Sequence, residues 1–295
     1  MQRGRRPVIW AGYLCYAVVL FALFTYLKFP SQQVRAFVLS ALSHHGLGQI
    51  RIGSIQPLLP AGLTFSEVSV SHAVNGQLLE LMNMSELQVQ LRPLRPFANP
   101  LRLGFEGALY GGMLLGTVEW EHNGMEPLLG IHVNLQDIRP AAHPLTAGLG
   151  NAIVAGKVAG TITLQLSKGG WQDGTGRLIL QGEPGSIAGL DLGGVRLPAL
   201  TYDHLTAELT LQQRHVVVKD LQMSSRDWQV TVQGNVSLNE RLRQSPVDLT
   251  VRVHTSGTME QQLGLVGIFL KQRRDRHGFT ALKIKGTLEH LNPVL

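Results

Sequence analysis

The sequence has 295 residues, of which 44% are hydrophobic and only 16% charged, with 33 glycines and one cysteine. A chain with so few ions is a poor candidate for long helices stabilised by surface charge pairs, and the lone Cys15 cannot form a disulfide within the chain. The formal net charge of +6 lies mostly near the two ends, so the sequence lacks the basic stripe that a nucleic-acid interface requires.

An apolar run without a charged residue extends from Val8 to Leu27. About 20 helical residues, each rising about 1.5 Å, span the roughly 30 Å hydrocarbon layer of a bilayer. A cleaved signal peptide has a shorter apolar core and a small-x-small cleavage site, whereas this run ends in Lys28, Phe29 and Pro30. We therefore predict a retained transmembrane signal anchor at 8–28.

The charges beside the anchor set its predicted orientation. Arg3, Arg5 and Arg6 precede the run and only Lys28 follows it closely, so the positive-inside rule places a tail of residues 1–7 in the cytoplasm. Everything beyond the anchor is then exported, and an exported part without disulfides suits a bacterial periplasm better than a eukaryotic lumen. The predicted location is the bacterial inner membrane, with a single span and the bulk of the chain in the periplasm.

Residues 29–48 are predicted to contain one amphipathic helix next to the membrane, over 31–44. Ser31 can cap its start, apolar residues recur at helical spacing, and Gly46 can end it in the left-handed conformation. The apolar stripe is narrow enough to lie on a sheet edge or on the membrane surface, and the pattern favours neither.

From residue 49 to residue 295 the apolar period changes from 3.6 to 2, which predicts a β-rich periplasmic domain. No pattern of a crossover helix occurs between residues 50 and 255, so we expect antiparallel hairpins. Three strands close on an apolar-x-apolar-x-Gly signature, at Gly182, Gly234 and Gly286. The alternating segments are LQVQL from 87, TITLQL from 161, RLILQG from 177, WQVTVQG from 228 and VDLTVRV from 247.

A second helix is predicted at 259–273, because apolar residues from Leu263 to Leu270 share one face. It runs into a basic cluster from Lys271 to Arg276, which is favourable charge for a helix C-terminus. The cluster could contact anionic headgroups or an acidic partner. An exposed helix end and turn is the interpretation that we favour.

A sheet with one apolar face needs a cover for that face, and only these two short helices are available. Either the sheet curls until the face lines its own interior, or a partner or a lipid covers the face. If the face forms a lipid groove, its candidate lining residues are Leu164, Leu180, Val230, Val232 and Leu249.

Residue types that could act in catalysis or bind a metal form no recognisable site in the sequence. It has no phosphate loop, nucleophile elbow, zinc-binding helix or paired-cysteine motif. His44 and His45 are adjacent, so their rings point in different directions and do not close a metal site. We predict no catalytic, cofactor-binding or metal-binding residue, no cofactor, and a protein that is not an enzyme.

The order of these features resembles a known family. The anchor is followed by KFPSQQVRAFV and LPAGLTFSEVSV, then by the glycine-paired turn ALYGGMLLGTV, the segment LPALTYDHLTAEL and the closing GTLEHLNP. Over nearly the whole chain this arrangement is similar to type II secretion system protein N in its short proteobacterial form, and more distantly to AsmA-like periplasmic proteins. The resemblance implies an elongated, curved antiparallel β-sheet, flanked by two short helices and anchored in the inner membrane, and it supplies no catalytic residue.

The resemblance implies two functions. The first is an accessory inner-membrane component of the type II (general) secretion system, a periplasmic scaffold that contacts other secretion subunits. The alternative is an AsmA-like lipid-binding or lipid-transfer module with a hydrophobic β-groove. The predicted partners are therefore secretion subunits and the inner membrane, with phospholipid in the alternative and no nucleic acid.

Overall fold

The computed structural model describes most of the chain from Lys28 onwards, together with Tyr13, Tyr16, Ala17 and Leu20, which are helical. None of the helices in the described residues is long and apolar enough to cross a membrane. Most of the predicted anchor lies outside the described residues, as do Arg3, Arg5, Arg6, Cys15, His44 and His45. The continuous ranges are 28–43, 49–74, 77–92, 99–123, 126–140, 153–167, 170–189, 191–192, 195–239, 244–288 and 291–294.

Twenty strands are described, and they make the protein mainly β, as the period of two predicts. The first ten are β1 Gln49–Arg51, β2 Ser54–Leu58, β3 Gly62–Val74, β4 Gln77–Leu91, β5 Leu101–Leu109, β6 Gly112–Asn123, β7 Glu126–Ile138, β8 Ile153–Ala155, β9 Val158–Ser167 and β10 Gly170–Gly182. The others are β11 Gly185–Ala188, β12 Asp191–Leu192, β13 Val195–Arg196, β14 Leu200–Tyr202, β15 His204–Gln212, β16 His215–Ser224, β17 Trp228–Ser237, β18 Pro246–Thr255, β19 Thr280–Thr287 and β20 Leu291–Val294.

Fifteen of these strands form one antiparallel sheet, in the order β1-β3-β4-β5-β6-β7-β9-β10-β15-β16-β17-β18-β19-β20, with β2 paired to β3. Neighbours in this sheet are mostly consecutive in the chain, so they need no crossover helix. Tyr110 and Gly111 join β5 to β6 with φ of 48° and 74°, as a two-residue type I′ hairpin requires. The remaining five strands form a three-stranded sheet, β14-β11-β8, and the pair β12-β13.

The helix predicted after the anchor is present as α1, Ser31–Ser43. It lies against β1 and β2 at one edge of the large sheet. Val34 and Leu39 pack on a cluster of buried apolar side chains there, and Arg35 on the other side of the helix is exposed. The apolar stripe of this helix therefore covers the sheet edge.

The helix predicted at 259–273 is two helices, so that prediction was wrong in its continuity. α2 spans Gly257–Leu263 and α3 spans Leu265–Gln272. Between them Gly264 has φ 57° and ψ −119°, a left-handed conformation that glycine adopts without a steric penalty and that ends a helix. Ser256 caps α2, because its side-chain oxygen accepts a hydrogen bond from the backbone N–H of Met259.

One face of the large sheet is almost entirely apolar, and the opposite face is mixed but carries most of the polar side chains. Paired residues of antiparallel strands lie on the same face, so the register shows which residues of each strand belong to which face. Among the described side chains of β5 to β19, every register-paired residue on one face is apolar or glycine, except Thr255 and Thr280. We call this side the apolar face and the opposite side the polar face.

Two buried clusters lie on the apolar face, toward the side of the sheet where β5, β7, β10 and β18 end, and Leu211, Val218 and Val247 are buried nearer the other side. We call the strand ends on the side of the two clusters the capped rim and the strand ends on the other side the open rim. An N-terminal cluster at the capped rim contains Ile55, Met84, Leu109 and Ile138 and contacts α1. A C-terminal cluster contains Tyr202, Trp228, Met259, Leu263 and Leu270, with α2 and α3 as its cover.

A candidate apolar binding face

The four central strands of the large sheet, β6, β7, β9 and β10, present an apolar face that the described chain leaves uncovered. Their register brings together Val118, Ile131, Val133, Ile162, Leu164, Leu178 and Leu180. All of these side chains are partly exposed. Of the described apolar side chains in these strands, only Ile138, at the capped rim, is buried.

All five predicted lining residues lie on the apolar face. Leu164 pairs with Ile131 and Gly176, and Leu180 pairs with Gly160 and Ala207. In the C-terminal half, Val232 pairs with Leu221 and Val251, and Leu249 pairs with Gly234 and Ile284.

Val230 differs from the other four predicted residues. It pairs with Met223 and Val253 and packs against the C-terminal cluster. It therefore belongs partly to the covered core, and Leu164, Leu180, Val232 and Leu249 are the candidates that remain for contact with a ligand.

Large side chains of adjacent strands occupy the space above two glycines of the apolar face. A Cβ at Gly116 would lie 2.3 Å from the ring of Phe105 and 2.4 Å from the carbonyl oxygen of His132. A Cβ at Gly176 would lie 2.5 Å from a methyl carbon of Leu164. The rings and methyl groups of the adjacent strands therefore rest on these glycines, which leaves a surface of leucine, valine and phenylalanine without bound polar groups.

The strand-closing glycine signature has a structural reason at Gly234. This residue has φ 146°, and a Cβ on it would lie 2.2 Å from the carbonyl oxygen of Asp248. Val218 and Leu221 of the partner strand flank an irregularity in the register beside it. Glycine is thus needed where β17 passes a bulge of β16, and the signature marks this bend and not a ligand contact.

One large aromatic side chain stands at the open rim of the apolar face. Trp120 pairs with Leu101 on one side and with Leu129 on the other, and 54% of its surface is exposed. An indole ring of this kind is suited to a boundary between apolar chains and water.

The polar face is held by cross-strand ion pairs. Glu208 accepts contacts from Arg177 at 3.1 Å and from Lys219 at 3.2 Å. The Lys219 ammonium, which donates a hydrogen bond, and the Arg177 charge together hold the pKa of the Glu208 carboxyl below its usual range. Arg102 pairs with Glu119 at 3.0 Å in the same way. These contacts explain the charges of this face as sheet stabilisation.

Several surface depressions lie on the polar face. One of them, of about 380 Å³, is lined by Thr117, His132, Asn134, Thr161 and Thr163 among others. Its lining mixes these polar groups with apolar ones such as Leu115, and a neighbouring depression places Glu119 and Glu121 beside the same His132. In the part of the chain that the structure describes, no three His, Cys, Asp or Glu residues come close enough to hold a metal ion.

The three-stranded sheet β14-β11-β8 is a feature that the sequence pattern did not predict. Tyr202 of β14 is 1% exposed and donates a hydrogen bond to the carbonyl oxygen of Ala155 at 3.1 Å, and burial raises the pKa of its phenol. Trp228 donates to the carbonyl oxygen of Thr201 at 2.9 Å. This small sheet closes the capped rim beside α2 and α3.

The basic cluster after α3 forms an exposed helix end, as in the interpretation favoured from the sequence, with one exception. Lys271, Arg273 and Arg276 are exposed. Arg274 instead turns inward, where it pairs with Glu260 and donates to the carbonyl oxygen of Thr255 at 2.7 Å. It ties the two helices to the end of β18.

Comparisons with known proteins do not assign the chain to a family. No family model matches the sequence, and neither the curated proteins nor the solved structures include one with significant similarity to it.

Proposed function

We propose that this protein is a non-catalytic binding protein of the bacterial envelope whose exported sheet holds phospholipid acyl chains against its apolar face. The observation that carries the proposal is the uncovered apolar surface of β6, β7, β9 and β10. Exposed apolar surface costs about 25 cal/mol per Å², and patches of this kind mark contact sites for proteins or lipids.

Acyl chains fit this surface better than a polar ligand does. The described side chains of the face in β5 to β19 offer no charge, and Thr255 and Thr280 are buried at the capped rim. A bound lipid would therefore keep its headgroup outside, near a rim, with its tail along the strands. Trp120 at the open rim has the amphipathic character suited to that boundary.

Site-specific photo-crosslinking in the full-length protein tests this function. Leu164 and Thr163 are neighbours on β9 whose side chains lie on opposite faces. A photoreactive phenylalanine derivative at position 164 should crosslink to phospholipid in living cells, and the same derivative at 163 should not. Equal lipid crosslinking at both positions, or none at 164, would contradict the proposal.

A second candidate function is the secretion scaffold that the resemblance implies. It is supported by the edge of the large sheet, where β20 pairs only with β19 among the described strands. An unpaired strand edge can accept a strand from another protein. In this candidate the predicted anchor holds the sheet beside other subunits of the type II secretion system.

Secretion assays separate the two candidates. For a scaffold that works through its edge, loss of the protein reduces export by the secretion system, while Leu164→Asp leaves export intact. For a lipid-holding face, Leu164→Asp acts like loss of the protein. Unchanged export without the protein would contradict the scaffold candidate.

A further inference from the structure

The helix α3 and the turn that follows it combine one exposed apolar side chain with three exposed cations. Ile268 is 56% exposed, although Leu263 and Leu270 on the inner side of the two helices are buried. Lys271, Arg273 and Arg276 follow it and are exposed. We call Ile268 and these three cations the basic cap.

The charges of the basic cap are not neutralised by the described chain. Arg273 lies over the ring of Phe269, with 4.9 Å from the guanidinium carbon to the ring centroid, and this contact leaves its charge in place. None of the three cations forms an ion pair within the described ranges. Six other cations of the described chain do have acidic partners: Arg102, Lys157, Arg177, Lys219, Arg252 and Lys285.

The acidic residues nearest the basic cap are already engaged. Glu260 pairs with Arg274. Asp275 accepts hydrogen bonds from the backbone N–H groups of His277 at 2.8 Å and Phe279 at 2.9 Å, and Arg252 lies 3.7 Å from its other oxygen. The excess positive charge therefore faces outward.

The helix that carries the basic cap is fixed to the sheet. Thr280 of β19 donates a hydrogen bond to the carbonyl oxygen of Leu270 at 2.6 Å, and Arg274 donates to the carbonyl oxygen of Thr255. These ties keep Ile268 pointing away from the core. The surface is thus already formed and needs no rearrangement before it binds.

We propose that the basic cap docks on an anionic lipid bilayer surface, with Ile268 inserted below the phosphates and Lys271, Arg273 and Arg276 among them. An apolar side chain beside clustered cations is the combination that favours interfacial binding. A nucleic acid or an acidic peptide would use the cations but would leave Ile268 in water. This surface is separate from the apolar face, so the docking proposal does not depend on the lipid-holding function.

Vesicle flotation tests the proposal with the full chain, carried in nanodiscs of phosphatidylcholine. The protein should float with added vesicles that contain phosphatidylglycerol and not with vesicles of phosphatidylcholine alone. High salt should release it, because screening weakens attraction between surface charges. Equal binding to both vesicle types, or no binding to the anionic ones, would overturn the proposal.

Charge variants identify the surface responsible. Each basic residue near an anionic surface contributes about fivefold to binding, so Lys271→Gln, Arg273→Gln and Arg276→Gln together should weaken flotation about a hundredfold. The control replaces three cations of the polar face, Arg177→Gln, Lys219→Gln and Lys285→Gln, which changes the net charge equally. Equal losses in both triple variants would show that net charge alone acts and would overturn the docking site.

A fluorescent label tests insertion directly. Ile268→Cys, made together with Cys15→Ser, would carry a polarity-sensitive dye, and Thr206→Cys on the exposed polar face serves as the control. The dye at 268 should shift to the blue and be quenched by nitroxide-labelled lipid in the anionic vesicles, while the dye at 206 should not. A blue shift at 268 with soluble polyglutamate and none with vesicles would overturn the proposal in favour of an acidic protein partner.

Discussion

The two ends of the large sheet and its middle bury their apolar face to different extents. At the ends, helices lie on that face and produce buried clusters such as Tyr202, Trp228 and Leu270. In the four central strands the same kind of residues, such as Leu164 and Val133, stay partly exposed. The alternation is the same in both regions, so the difference arises from the available covering elements and not from the strands themselves.

This difference separates stability from function. The clusters at the capped rim account for the burial that a folded domain needs, while the central face adds apolar area that folding does not use fully. Substitutions at the ends should therefore act on unfolding, and substitutions in the middle should act on binding. The predictions below test this division, beginning with the largest expected effect.

Trp228→Ala should destabilise the fold most. Its side chain is 6% exposed, and its indole N–H hydrogen bond to Thr201 holds β14 to β17. Loss of a buried tryptophan costs about 3–5 kcal/mol, which chemical denaturation of the purified protein would measure. A loss within about 0.5 kcal/mol, the usual range for a surface substitution, would show that the C-terminal cluster is not a buried core.

Arg274→Ala should rank second. It leaves the Glu260 carboxylate, whose side chain is 11% exposed, without its partner, at a cost of about 2–3 kcal/mol. Hydrogen exchange should then quicken in α2 and α3 before it quickens in β9 or β10.

The matched control for this prediction is Arg177→Ala in the middle of the polar face. Glu208 keeps Lys219 there and is exposed to water, so the change should stay within about 0.5 kcal/mol. Equal costs at Arg274 and Arg177 would mean that the ends are no more tightly held than the middle.

Leu164→Ala should have a small effect on unfolding. The side chain rests on Gly176 but remains partly exposed, so the loss should be about 1 kcal/mol, below the range for buried leucines. Thermal unfolding in the absence of lipid would measure it. A cost as large as that of Trp228→Ala would indicate that the central face is covered.

Asp275→Asn should have the smallest effect on stability, present at neutral pH and lost in acid. The backbone N–H groups of Phe279 and His277 lower the pKa of this carboxyl from an ordinary value of about 3.9. The stabilisation is therefore present above that value and lost as the pH falls through the lower folded pKa. Denaturation midpoints of the wild type and of Asp275→Asn should converge below about pH 4 and differ at neutral pH, whereas curves parallel at all pH values would contradict the assignment.

The alternation of residues predicted much of the fold. Segments such as TITLQL and VDLTVRV lie in β9 and β18, and the candidate face followed because side chains two apart share a side. α1 also lies where its apolar stripe indicates.

Other features depend on contacts that no local pattern contains. The break at Gly264 depends on a left-handed conformation within a stretch that reads as one helix. The strands β8, β11 and β14 are three or four residues long in a glycine-rich region, too short for a period to register. Whether Val230 is covered or open depends on α2 and α3, which are distant in sequence, so its burial could not be inferred from β17 alone.

Native mass spectrometry of residues 31–295, purified without detergent from a bacterial periplasm, tests the binding face most directly. We expect phospholipid bound at near-stoichiometric levels, lost in Val232→Asp and retained in Thr231→Asp, with circular dichroism confirming the sheet in all three proteins. These two positions are adjacent on β17 and lie on opposite faces. A folded, lipid-free wild-type domain, or equal loss of lipid in both variants, would contradict the account.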